Sequence, residues 1–258
     1  MSDNGERSGR AGVPSSESVV AEKSFAPNRP MTDSPTAGPG PTYRILRTVE
    51  VDEYDPPVSA ADVQPFGEAQ PEANQNFTGT SRKAAKLSIS DSAVEAFDDV
   101  AALIDTLPDH QSMVGHEPEI TTAANSGRVD SEDRNIRITA FLYAASHEND
   151  NDYHLIVGRD PARDPVYMTM ELSGLPPATS EHFARLDEAR HSYSSFFGGD
   201  LPGTSYDFYD PPIPIEVEGS LFFDMSHATG SRPGPQSLRG DMPVVWEIHP
   251  IARIAFEP

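Results

Sequence analysis

The stretch Asp241-Met-Pro-Val-Val-Trp-Glu-Ile-His-Pro-Ile-Ala-Arg-Ile-Ala-Phe-Glu-Pro258 decides how this chain is read. It holds the single tryptophan, Trp246, and consists of two short apolar runs on either side of Pro250. A chain end ordinarily frays, so a finish in Val244, Val245, Trp246, Ile248, Ile251, Ile254 and Phe256 predicts a terminal strand pair tied into a sheet. Proline donates no N–H, which puts a bulge or an edge at Pro250. A bulge there re-aims His249 away from the interior, toward the loop that carries Arg239. Trp246 is expected to be largely buried against the second helix or the barrel wall.

Working outward, the partners of this terminal segment are legible from period-two patterning. Ile136, Ile138, Ala140 and Leu142 alternate with Arg137, Thr139, Phe141 and Tyr143, the pattern of a long strand. Tyr153 to Val157 and Val166 to Leu172 read as two more. Pro176 and Pro177 then break the chain before a helix with Phe183, Leu186, Tyr193, Phe196 and Phe197 on its apolar side, ended by Gly198-Gly199. Ile213, Ile215, Val217, Gly219, Leu221 and Phe223 alternate as a fourth strand. The fold class predicted is mainly β with two helices (α+β): a small OB-like barrel of element order β-β-β-α-β-β, preceded by a helix and an N-terminal arm. An open sheet covered by the helix has the same element order.

That preceding helix is expected over 91–107. Ser92 with Glu95 fits a capping box, and Val94, Phe97, Val100, Ala101, Ile104 and Leu107 recur at helical spacing before Pro108. Just ahead of it lies the one compact basic cluster, Arg82-Lys-Ala-Ala-Lys86. Residues 1–79 are rich in Pro, Gly, Ser and Glu and poor in apolar periodicity, which predicts a disordered acidic arm with one possible strand at 43–51. Met1 to about Arg44 is expected to lack regular structure. Residues 80–258 form the expected domain and are numerous enough for a core.

Composition narrows the function. The 258 residues carry a formal net charge of −22, and the acidic balance persists beyond Thr80. Lys and Arg are what neutralise phosphates, so nonspecific nucleic-acid binding and an anionic membrane surface are both disfavoured. No run is long and apolar enough to span a bilayer, the first residues lack the pattern of a signal peptide, and the expected location is cytoplasmic. With no cysteine, disulfides, thiolate metal ligands and cysteine nucleophiles are excluded.

Three polar pairs lie in or beside strands: Asp152 with His154, Asp224 with His227, and Glu247 with His249. A carboxylate beside an imidazole can orient a general base or a metal ligand. It can equally be a local hydrogen bond that satisfies a half-buried histidine. The candidate catalytic residues are His154, His227, Arg239, Glu247 and His249, with Asp152 and Asp224 as candidate metal ligands. His110 and His116, in a polar loop with Asp109, Glu117 and Glu119, offer a weaker metal reading. There is no phosphate-cradling glycine loop, nucleophile elbow or His-Glu-x-x-His motif.

The segments Asp152-Tyr-His-Leu-Ile-Val157, Gly219-Ser-Leu-Phe-Phe-Asp-Met-Ser-His227 and Trp246-Glu-Ile-His-Pro250 resemble a group of bacterial proteins of unassigned function with an OB-like barrel domain. These carry Asp-x-His-Leu early and end in Glu-[Ile/Leu]-His-Pro. The resemblance runs from about Arg134 to Pro258; it implies a shared domain and brings no activity with it. Where such relatives often have Gly-Gln after the central histidine, this chain has Ala228-Thr229.

Two functions follow as expectations. The first is a non-catalytic binding or interaction module for a protein or small-molecule partner. The alternative is a metal-assisted hydrolase, phosphodiesterase- or nuclease-like, using the Asp/His/Glu pairs at one end of the barrel around a divalent metal.

Overall fold

The computed structural model describes residues 12–27, 41–67, 74–230 and 232–256. In chain order its elements are β1 (Val19–Phe25), β2 (Tyr43–Thr48), α1 (Lys83–Lys86), β3 (Val94–Phe97), α2 (Val100–Ile104), α3 (His110–Val114) and β4 (Asn135–His147). There follow β5 (Tyr153–Gly158), β6 (Tyr167–Leu172), α4 (Phe183–Phe197), β7 (Asp207–Phe223), α5 (Met225–Ala228) and β8 (Trp246–Phe256). The protein is mainly β, with one long helix and four short ones among the described residues. No described helix is long and apolar enough to cross a membrane.

The strands form one eight-stranded sheet in the order β1-β2-β7-β8-β6-β5-β4-β3, and β7 pairs with β4 as well. Strands β4, β5, β6, β8 and β7 therefore make a cycle of pairings, antiparallel except for β6 with β8. Alternation decides what each strand turns inward. Leu155 and Val157 of β5, Met168 and Met170 of β6, Ile215 and Val217 of β7, and Trp246 and Ile248 of β8 belong to one buried apolar cluster. Helix α4 packs on β8 through Tyr193, Phe196 and Phe197, with Phe196 stacked 3.8 Å from Phe256. Trp246 is buried as expected, edge-on to Phe223 at 5.2 Å, its Nε1 donating to Pro108 O at 3.0 Å.

Several sequence expectations are corrected. The helix expected over 91–107 is a strand and then a short helix: Val94–Phe97 pairs parallel with Asn135–Ile138, and Asp99, rather than Ser92, caps Val100–Ile104. The register of β5 covers only Phe141–His147 of β4, so the first half of β4 offers open backbone groups on that side. Satisfying them outweighs the helical periodicity of a short segment. The terminal pair hinged at Pro250 is one strand, Trp246–Phe256, that bulges there against β7. Gly219 sits opposite, where a Cβ would press on Pro250 O and Ile248, so the bulge requires the missing side chain.

The arm also departs from expectation. Val19–Phe25, inside the stretch expected to lack regular structure, pairs with Tyr43–Thr48, and the latter pairs with β7. Met1–Ala11 and Asn28–Gly40, which share that expectation, lie outside the described residues. Strand β7 begins ahead of the alternating stretch from Ile213, because Asp207–Asp210 takes β2 as a partner. Arg47 of β2 and Asp207 of β7 are both buried and pair at 3.1 Å, with Arg47 also donating to Leu201 O.

Candidate metal centre

The strands β5, β6 and β8 each carry polar residues on the face turned away from the main apolar cluster. His154 is the cross-strand partner of Glu171, and Glu247 the partner of Thr169. His249 follows on the same side of β8 as Glu247, up to the bulge. On an ordinary outer strand face these side chains would be solvated. Here the segment after β2, the loop around Gly234 and helix α1 cover the face, and Asp152, His154, Glu171, Glu247 and His249 are all buried.

Ligand atoms of three overlapping groups lie within 4.8 Å of one another: His154, Glu171 and Glu247; Asp152, Glu171 and His249; and Asp52, Glu148 and His154. His154 Nε2 is 3.2 Å from Glu171 Oε1, and His249 Nδ1 is 2.9 Å from Glu171 Oε2 and 3.5 Å from Glu247 Oε2. Neither histidine nitrogen makes a hydrogen bond across these gaps, and both Glu247 oxygens also have no hydrogen-bond partner. Buried polar atoms are nearly always paired, so such a knot of close but unbonded ligand atoms calls for another species between them. Ligands about 2.1 Å from a tetrahedral ion lie about 3.4 Å apart. The observed separations have that scale.

The other nitrogen of the His154 ring is held by a carboxylate, whereas that of His249 has a carboxylate nearby without a hydrogen bond. Asp52 Oδ2 sits 2.9 Å from His154 Nδ1, and Tyr206 Oη is also 2.9 Å from that nitrogen. Asp52 accepts from the Tyr206 hydroxyl at 3.1 Å and from Gly234 N–H, so it is already satisfied. Asp152 Oδ2 lies 3.5 Å from His249 Nε2, and its Oδ1 accepts from Gly174 N–H at 2.6 Å. Carboxylates in this position fix the ring's orientation and leave its opposite nitrogen for a metal.

The same crowding shifts the protonation of every member of the cluster. Burial raises the Glu247 carboxyl well above the usual range, and the carboxylates of Glu171 and Asp224 push it further. Burial also raises Asp152, with Asp150 and Glu171 adding to it. For Glu171 burial is outweighed by His249, Lys86 and His154, which hold it well below the usual range. His154 is driven well above the usual imidazole range, since Asp52 and Glu171 overcome the effect of burial. His249 is lowered, first by burial and then by the Lys86 charge. With every carboxyl ionised the cluster would carry more negative charge than Lys86 and His154 offset, an imbalance relieved either by protons on Glu247 and Asp152 or by a bound cation.

The remaining sequence candidates contribute no atom to these groups. Asp224 caps α5, its Oδ1 accepting from Ser226 N–H at 2.7 Å and His227 N–H at 3.4 Å. His227 Nε2 is 3.7 Å from Asp224 Oδ2, and its ring stacks on Tyr54 at 6.2 Å. His227 lines a recess of about 430 Å³ with Trp246, Phe223 and Arg232, which the buried cluster does not line. Arg239 donates to Gly234 O at 2.7 Å and reaches Glu53 at 4.0 Å; it holds the covering loop and touches neither His249 nor His154. His249 does project away from the interior, yet it meets Glu171, Asp152 and Phe222 rather than the Arg239 loop. His110 lies against Phe223, and the His116 ring contacts Pro118 O at 2.8 Å.

Sequence reasoning brought Asp152, His154, Glu247 and His249 together and missed Glu171, Asp52 and Lys86. Glu171 had a signal: in Tyr167-Met-Thr-Met-Glu-Leu172 it alternates with Met168, Met170 and Leu172, so it faces away from the core. Asp52 had none, because its place depends on β2 docking. No family model matches the chain, and neither a curated protein nor a solved structure gives a significant match.

Proposed function

We propose that the protein is a non-catalytic binding module that holds one divalent cation between His154, Glu171 and Glu247, on the outer face of an OB-like five-stranded barrel. The cycle of pairings β4–β5–β6–β8–β7–β4 with a helix between β6 and β7 supports the barrel. The observation that carries the cation is Glu247, a fully buried carboxylate with neither oxygen hydrogen-bonded, beside an imidazole nitrogen and a second carboxylate. Two oxygens and a nitrogen, with no thiolate, suit zinc or manganese.

Burial favours holding the ion over turning over a substrate. A catalytic metal keeps an open position for water or substrate, whereas a structural one is enclosed by protein. His227 and Arg239, needed by the hydrolytic alternative, support other parts of the chain. The grouping with the bacterial proteins named above remains part of this proposal, since its motif segments supply Asp152, His154, Glu247 and His249. A cytoplasmic setting and a soluble protein or small-molecule partner belong to it as well.

The test uses the full chain, stripped with EDTA and titrated with Zn²⁺ or Mn²⁺, with the ion content also measured after gel filtration. One ion per chain is expected. E247Q should weaken binding at least tenfold, and D52N, which removes the negative charge beside His154 Nδ1, about 10–100-fold. No uptake by the parent protein, or equal uptake by parent and E247Q, would sink the reading.

A further inference from the structure

The group Asp152, Glu171 and His249 has the make-up of a second cation position, and it already has a cation beside it. Lys86 Nζ, at the end of α1, lies 3.8 Å from Asp152 Oδ2 and 3.8 Å from Glu171 Oε2. Its ammonium also stands 5.8 Å from the Phe222 ring and 6.0 Å from the Phe77 ring, so aromatic faces close the remaining sides. The position is built: Arg128 donates to Ala85 O at 2.9 Å, Ser88 O at 2.8 Å and His249 O at 2.6 Å, fastening α1 to β8. Asp152 Oδ2 and His249 Nε2, both buried, make no hydrogen bond.

Glu171 joins the two groups, one oxygen toward His154 and the other toward His249. A carboxylate in that pose is the bridge of a two-metal centre. We propose that Lys86 is a resident ammonium standing in the second metal position of a latent two-metal centre, and that it limits the protein to one divalent ion. This rests on the reading of His154, Glu171 and Glu247 as the first position. An ammonium supplies one positive charge with no ligand geometry to satisfy, so it lies between Asp152 and Glu171 without demanding that His249 turn toward it.

The experiment is Mn²⁺ titration of the full-length parent, K86M, K86R and the double variant K86M/D152N, read by stoichiometry and electron paramagnetic resonance. Expected are one ion for the parent and K86R, two for K86M, and one for the double variant. The two ions of K86M should give an exchange-coupled spectrum, since two-metal sites hold their ions about 3.5–4 Å apart. A K86M protein that binds one uncoupled ion like the parent overturns the inference and leaves the first position standing. A parent that binds none removes the first position; K86M then supports Lys86 as a stand-in only by binding one ion itself. If K86M folds only with Mn²⁺, judged by Trp246 emission, the inference is supported. If K86M and a further neutral variant, K86Q, both stay unfolded with Mn²⁺ present, it is overturned.

Discussion

Arg82 and Glu132 show how a single residue can be fixed by the charge it faces. Both are buried, and the guanidinium meets the carboxylate at 2.6 Å and 2.7 Å. Glu132 also accepts from the N–H of Phe223 at 2.8 Å and of Val129 at 2.9 Å, while Arg82 donates to Phe223 O at 3.0 Å. The pair therefore ties the segment before β4 to the end of β7, next to the residues that lead into α5. Removing one member leaves the other buried and charged. R82M is expected to cost about 3–5 kcal/mol, measured by urea unfolding followed through Trp246 fluorescence. A loss below about 1 kcal/mol would mean that solvent reaches Glu132, contrary to its complete burial.

At the scale of elements, Asp99 holds α2 to the loop after β5. Its side chain accepts from Ala101 N–H at 2.8 Å as the helix cap, from Arg159 at 2.9 Å and from Arg163 at 2.6 Å. Burial raises its carboxyl, but the Arg159 hydrogen bond, the Ala101 N–H and the charges of both arginines outweigh it and hold the group below the usual carboxylate range. A carboxyl lowered in the folded state contributes stability above its unfolded pKa near 4, and that contribution disappears as pH falls through the folded value. D99N keeps a capping oxygen but loses the charge that faces Arg159 and Arg163, so it should be less stable than the parent at pH 7 by up to about 1 kcal/mol, the size of a solvent-exposed ion pair. The gap should close as pH falls below about 4. A gap that stays constant over that range in thermal melts would assign the effect to shape rather than charge.

For the whole molecule, a bound ion is a tether as well as a ligand. The proposed centre takes His154 from β5, Glu171 from β6 and Glu247 from β8, and Asp52 from the segment after β2 lies against the first of them. Binding to the folded state alone stabilises by mass action, about 2.7 kcal/mol at a free ion concentration of 100 Kd. For a chain of this size each kcal/mol moves Tm by about 2–4 °C. Saturating Zn²⁺ is thus expected to raise the melting temperature of the parent by several degrees, EDTA to reverse it, and E247Q to show neither change. Identical melts of the parent with Zn²⁺ and with EDTA would contradict a centre that spans three strands.

By itself the sequence determined whatever depends on local period and on residue chemistry. Alternation in Ile136–Leu142, Tyr153–Val157 and Ile213–Phe223 marked strands and their inward faces, because side chains in a strand point to opposite sides in turn. The same rule put Glu247 and His249 together and Asp152 with His154, so half of the candidate centre was legible before any fold was known. The lack of cysteine confined any metal site to oxygen and nitrogen ligands. Tertiary structure decided the rest. Val94–Phe97 is a strand because the unsatisfied edge of β4 lies beside it, a fact about long-range pairing that helical spacing over a few residues does not contain. Val19–Phe25 is ordered by β2, and β2 by β7. Whether the polar face of β5, β6 and β8 meets water or is sealed depended on the segment bearing Asp52, the Gly234 loop and the helix bearing Lys86. Asp52 lies about a hundred residues from His154 in sequence, yet the two touch at 2.9 Å. A solvated row of carboxylates and imidazoles needs no partner, whereas a buried one does, so burial is the step that turned a polar strand face into a candidate metal centre.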